Sequence, residues 1–195
     1  MGRAMPGEQG AVDGRKLRGQ RRRAQIIDAT LTIVRRDGAT GVTHRTVAKE
    51  AGITTSLTLY YFATLDELLI AALTSVTDAY TQRIRQVIDA DGDKIAGLAH
   101  LIAESAGPGR ERALAERELS TLAARRPALR PAVRRWRDNV AELARTQSGD
   151  PDTIEAFVAL SDGLCTAILL DDREADPRHI RAVLTKALLG ASHRP

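Results

Sequence analysis

Cysteine is all but missing from this 195-residue chain: Cys165 stands alone, which excludes an intrachain disulfide and a cysteine-based metal cluster. It lies in an apolar run and reads as a small core residue. Aromatic residues make up only 3%. The abundance of Ala, Leu and Arg favours helix over sheet, because these side chains lose little rotamer freedom in a helix. No apolar stretch approaches the roughly eighteen residues expected of a membrane helix. The opening MGRAMPGEQGAVDGRK lacks the apolar centre of a signal peptide. A cytoplasmic protein without a membrane partner is expected. The histidines, His44, His100, His179 and His193, are scattered without metal-ligand spacing. Phosphate loops, nucleophile elbows and dinucleotide fingerprints are missing as well. The expectation is therefore no catalytic residue, no metal, no cofactor and no enzyme. DADGDK at 89–94 suggests a calcium loop through Asp89, Asp91 and Asp93. It fails because Lys94 replaces the turn glycine and His100 the bidentate glutamate.

What is present is a chain with 43% hydrophobic and 28% charged residues, enough to bury a core. Its charge is unevenly placed. Residues 1–62 hold 11 Lys/Arg against 5 Asp/Glu, a net +6, and the rest carries −2. A positive N-terminal third is what a phosphate-binding segment requires. Residues 1–14 read as a disordered tail. Arg15, Lys16, Arg18, Arg21, Arg22 and Arg23 then form a basic arm, either a solvated helix start or a phosphate or minor-groove contact.

Apolar periodicity predicts a helix from Gln20 to Asp37, with Ile26, Ile27, Thr30, Ile33 and Val34 on one face and Gly38 as the stop. Further helices are predicted at 43–51, 54–61 and 65–88, with Thr43 and Thr54 as N-caps. Beyond Asp89 the period stays helical, giving 94–106, 110–125, 128–147, 152–171 and 177–190. The expected fold class is all-α, about nine helices. A three-helix N-terminal unit at 15–64 precedes a larger helical body at 65–195.

THRTVAKEAGITTSLTLYYF has the requirements of a helix-turn-helix. Ala48 is small where two helices approach closely, and Gly52 follows four positions later at the tight turn. Val47, Ala51 and Ile53 face inward. Thr43, His44 and Arg45 from one helix, and Thr54, Thr55, Ser56 and Tyr60 from the next, face outward. Hydroxyl side chains at a helix start suit phosphates and base edges in the major groove.

Over about residues 20–70 the chain resembles the TetR family of repressors. The resemblance rests on RRAQIIDATLTIVRRDGATGVTHRTVAKEAGITTSLTLYYFATLDELL. Ile26, Ile27 and Ala29 match the family's first helix. Thr43, Val47, Ala48, Ala51, Gly52 and Ile53 match the second helix and turn. Tyr60, Tyr61 and Phe62 match the end of the recognition helix, and Asp66, Glu67 and Leu68 the opening of the fourth. The resemblance implies a homodimer on a palindromic operator in double-stranded DNA, released by a small-molecule effector. It implies Thr54, Thr55, Ser56, Leu57 and Leu59 near base edges, and Thr43, Arg45, Tyr60 and Tyr61 on phosphates. Arg22 of the basic arm is a further expected DNA contact. Leu65 stands where many relatives have a phosphate-contacting lysine, and Thr58 where an apolar residue is usual.

In the C-terminal part, Ile154, Phe157, Val158, Leu160, Leu164, Cys165, Ile168 and Leu169 spread around much more than one helix face. A helix apolar over so wide an arc buries two sides. With the last helix it is expected to form the dimer interface, through Leu164, Ile168, Val183, Leu184, Ala187 and Leu188, as the resemblance implies. Tyr80, Ile102, Trp136 and Phe157 are the candidate pocket wall. The scarcity of aromatics argues against a stacking pocket for flat cationic drugs and is compatible with an aliphatic ligand. Two other readings fit the sequence: a constitutive DNA binder without effector, and a helical adaptor.

Overall fold

A computed structural model describes residues 6–171 and 175–189. The side chains of residues 6–13 and of Arg15 lie outside that description, and with them one member of the expected basic arm. Nine α-helices and no strand occur among the described residues. They are α1 Pro6–Asp37, α2 His44–Glu50, α3 Thr55–Tyr61, α4 Leu65–Asp89, α5 Lys94–Ala103, α6 Arg110–Leu122, α7 Arg130–Arg145, α8 Pro151–Asp171 and α9 Pro177–Leu189. Short 3₁₀ turns at Ala39–Gly41, Glu104–Ala106 and Pro127–Leu129 absorb the ragged ends. The all-α expectation stands.

Most boundaries follow from capping chemistry. Thr43 accepts a hydrogen bond from the Thr46 amide, and the Thr46 hydroxyl accepts one from the Thr43 amide, a reciprocal capping box. Thr54 caps α3 through the Leu57 amide at 3.3 Å, and Asp93 caps α5 through Ala96 at 2.8 Å. One boundary departs from expectation. α1 begins at Pro6 rather than Gln20, so the stretch expected to be an irregular tail is helical from Pro6 onward. Proline suits a first helical position, and the residues after it include good helix formers. Residues 1–5 of that tail lie outside the described residues.

The chain divides into two compact units, one ending at Ala72 and one starting at Leu73. In the first, Ile26, Ile33, Val34, Val47, Ala48, Phe62, Leu68 and Leu69 are sealed from solvent. In the second, α5 packs extensively on α9, and α8 lies against both α7 and α9. Ile84, Leu98, Ile102, Val140, Leu143, Phe157 and Leu184 fill its core.

The expectation that no stretch reaches membrane-helix length needs correction at α8. Pro151–Asp171 is 21 residues long, with a window of mean hydropathy 1.6, and so is long and apolar enough to cross a membrane by length and composition. It still carries Asp162, which pairs with Arg117 at 2.8 Å. Only 28% of that window is buried within the chain, so α8 has more apolar surface than its own core uses.

Candidate nucleic-acid interface and effector cavity

In the first unit, α2 and α3 meet at a turn built by Gly52. Its φ of +64° is open to glycine without steric cost. The Ile53 amide donates to the Ala48 carbonyl at 3.0 Å and the Gly52 amide to Lys49 at 3.3 Å, which ends α2 in a Schellman motif. Ala48 is 2% exposed, as close helix approach demands. The Gln25 side chain of α1 donates to the Ala51 carbonyl at 2.7 Å and ties α1 to that turn.

Thr58 fixes which way α3 faces. It is fully buried, and its hydroxyl donates back to the Thr55 carbonyl at 3.0 Å, near the carbonyls of Thr54 and His44. The helix thereby satisfies internally the polar group that replaces the usual apolar one. Thr54, Thr55, Ser56, Leu59 and Tyr60 then face solvent, with Leu57 half-buried. Tyr60 is 80% exposed; its ring meets that of Tyr61 edge-on at 5.2 Å. Thr43 and Arg45 are exposed at the start of α2. Arg22 is half-buried and donates to Gln25 at 2.7 Å, while Arg23 lies over the Phe62 ring at 4.9 Å. The candidate DNA contacts thus share one unit: hydroxyls, one projecting phenol ring, and cations of α1 and α2.

The second unit contains a narrow cleft with a cavity volume of about 50 Å³. α4 contributes Val76, Tyr80 and Arg83, the turn after α5 Glu104, α6 Arg112, Glu116 and Arg117, α7 Trp136, and α8 Cys165 and Leu169. Of the four expected wall residues, Tyr80 and Trp136 line it, their ring centroids 6.2 Å apart. Ile102 and Phe157 do not; they are sealed in the core beside it.

The polar lining was missed by sequence reasoning. Arg83 donates to Glu104 at 2.6 Å and Arg117 to Asp162 at 2.8 Å. Arg83 holds the Glu104 carboxyl below its ordinary pKa. The Tyr80 hydroxyl is buried with no hydrogen-bond partner, and burial pushes its pKa well up. Burial likewise pushes the Cys165 thiol up to about 12; the sequence placed it in the core, whereas it is half-buried at the cleft, packed against that core. Glu116 accepts only the Ser120 hydroxyl at 2.8 Å, and burial raises its pKa. Its signal in the sequence was an acid sharing a helical stripe with Ala113, Leu119 and Ala123.

Asp93 serves structure: it caps α5 and pairs with Arg181 of α9. Of the candidate dimer residues, Leu164, Ile168, Val183, Ala187 and Leu188 are half-buried, whereas Leu184 is fully buried within its own unit. Leu170 on α8 is 79% exposed and Leu189 on α9 is 64% exposed.

Residues 90–190 match the family described as Tetracyclin repressor-like, C-terminal domain. The HTH-type transcriptional regulator PksA of Bacillus subtilis (strain 168) is 38% identical over 68 residues, 35% of this chain and 33% of that protein. The chain thus spans about a third of the length of this curated relative. Among solved structures, the multidrug binding protein EbrR complexed with ethidium is 38% identical, covers 85% of this chain and 97% of its own, and has a TM-score of 0.74. A Streptomyces coelicolor A3 protein is also 38% identical over 85% of this chain and 97% of its own, with a TM-score of 0.78.

Proposed function

Because the chain belongs to the TetR family of transcriptional regulators, DNA-binding proteins rather than enzymes, we propose that it is a dimeric repressor released from a palindromic operator by a small molecule. The observation that carries this reading is the outward face of α3. Thr58 is spent on the helix interior, which leaves Thr55, Ser56 and Leu59 for base edges and Tyr60 projecting for a phosphate. Thr54 and Leu57 flank the base-reading set; Thr43, Arg45, Tyr61 and Arg22 hold the backbone. Such a protein works where the chromosome is, in the cytoplasm.

Dimerisation through α8 and α9 accounts for the apolar surface that α8 does not bury within the chain. Leu164, Ile168, Val183, Ala187 and Leu188 form this face, and Leu184 supports it from beneath. The cleft lined by Tyr80 and Trp136 receives the effector. The multidrug binding protein EbrR, which is 38% identical, is complexed with ethidium, which favours a ligand-released switch over a constitutive DNA binder. A ligand shifts the protein off DNA only by preferring the conformation that binds DNA less well.

The test is selection of binding sites from random duplex DNA, followed by affinity at two salt concentrations. An enriched inverted repeat and a steep fall in affinity with salt are expected, since neutralised phosphates release counterions. Failure to bind any duplex at low salt would leave the helical-adaptor reading in its place.

A further inference from the structure

The cleft in the second unit contains one charge left over. Arg83 and Arg117 are engaged by Glu104 and Asp162. Arg112 is exposed. Glu116 is different: no Lys or Arg among the described residues stands within ion-pair distance, and its single hydrogen bond comes from a neutral hydroxyl. The buried Tyr80 hydroxyl beside this cavity has no partner at all. A part-buried carboxylate without a cationic partner and a buried phenol without any partner, both lining one cavity, are costly unless something else meets them. The same cavity is lined by aromatic rings: Tyr80 and Trp136 are two of only six aromatic residues in the chain. A cation satisfies both features together, as counter-ion to the carboxylate and by attraction to the ring faces. An anion would place a second negative charge beside Glu116.

We propose that the cleft takes an organic monocation whose positive centre sits against the Glu116 carboxylate, with Trp136 and Tyr80 as its aromatic wall and the Tyr80 hydroxyl as a second polar contact. Glu116 thereby sets the charge selectivity of the effector. This rests on the cleft being the effector site, and it reverses the aliphatic preference that the low aromatic content suggested.

Protonation offers a signature that packing alone would not give. The groups facing Glu116 are Tyr80 and Arg83 on α4, Glu104 after α5, Arg112 and Arg117 on α6, and Asp162 and Cys165 on α8. Tyr80 and Cys165 are pushed upward and Glu104 downward. Glu116, raised from its ordinary value, is the carboxyl whose charge appears late as pH rises. A permanently charged ligand should therefore bind more tightly as pH rises through the Glu116 titration.

The experiment titrates purified protein, without DNA, with ethidium and with uncharged phenylphenanthridine, following the fluorescence of the single tryptophan, Trp136. Glu116→Gln keeps the acceptor for Ser120 and removes only the charge. The variant is expected to lose at least about tenfold in ethidium affinity, to bind the neutral compound within about twofold of the parent, and to lose the pH dependence. Its melting temperature at neutral pH should equal or exceed the parent's. A raised carboxyl pKa destabilises the fold once pH exceeds the unfolded value, and glutamine removes that cost. Equal ethidium affinity in parent and variant overturns the proposal, as does ethidium failing to bind the parent. The salt-dependent DNA binding measured separately is untouched by either outcome, so failure here is distinguishable from failure of the regulatory reading. A variant that melts well below the parent is replaced by Glu116→Asp, which must keep the cation preference.

Discussion

A threonine in the middle of a recognition helix can offer its hydroxyl to DNA or return it to the helix. At position 58 it is returned, which turns the neighbouring residues outward. Sequence alone did not decide this, because Thr58 is as compatible with an outer face as with an inner one. Two substitutions separate the roles proposed for the outer face. Tyr60→Ala should weaken binding to specific and random duplexes alike and lower the salt slope. Thr55→Ala should leave random-duplex affinity nearly unchanged and relax preference at one operator position, by about 1–3 kcal/mol. Competition binding against a panel of single-base operator variants reads both; an unaltered Tyr60→Ala variant would remove that phosphate contact from the account. Gly52 tests the turn. A Cβ there meets nothing within 4 Å, so Gly52→Ala should lose stability only through its positive φ. That is about 1–2 kcal/mol, seen as a lower midpoint in urea with the same slope.

At the scale of the helix, the sequence was legible wherever a cap or a glycine marked an end. Thr43, Thr54, Gly38 and Gly52 each signalled a boundary that the structure shares within a residue or so. It was less legible where a glycine marks no end. Gly7, Gly10, Gly14 and Gly19, together with the absence of an apolar stripe, concealed the helix that starts at Pro6; a glycine weakens a helix by about 1 kcal/mol without ending it. The pocket wall divided for a related reason: periodicity shows that Phe157 and Trp136 turn inward, but an inward face includes both sealed core and cavity lining. α9 carries the prediction at this scale. Ala187→Glu on α9 is half-buried and outside the core cluster, so the charge should leave the monomer folded. Sedimentation should show the dimer lost and operator affinity falling with it, since two half-sites are then no longer held together. A variant that stays dimeric would move the interface elsewhere.

Across the whole molecule, two units follow different rules. The first carries the excess positive charge and is held by turns and caps between neighbouring segments. The second draws its core from segments far apart in the chain. Asp93, at the start of α5, is paired with Arg181, 88 positions further on. α5 also packs extensively on α9. This long reach has a consequence for the order in which the protein comes into being on the ribosome. Everything the DNA-binding unit needs has been synthesised by Ala72, so it can fold while translation continues. The second unit must wait with Ile95, Leu98 and Ile102 uncovered until Ile180 and Leu184 have left the exit tunnel. On the proposed function, a nascent chain therefore holds a finished DNA reader well before it has the means to sense a ligand or find its twin.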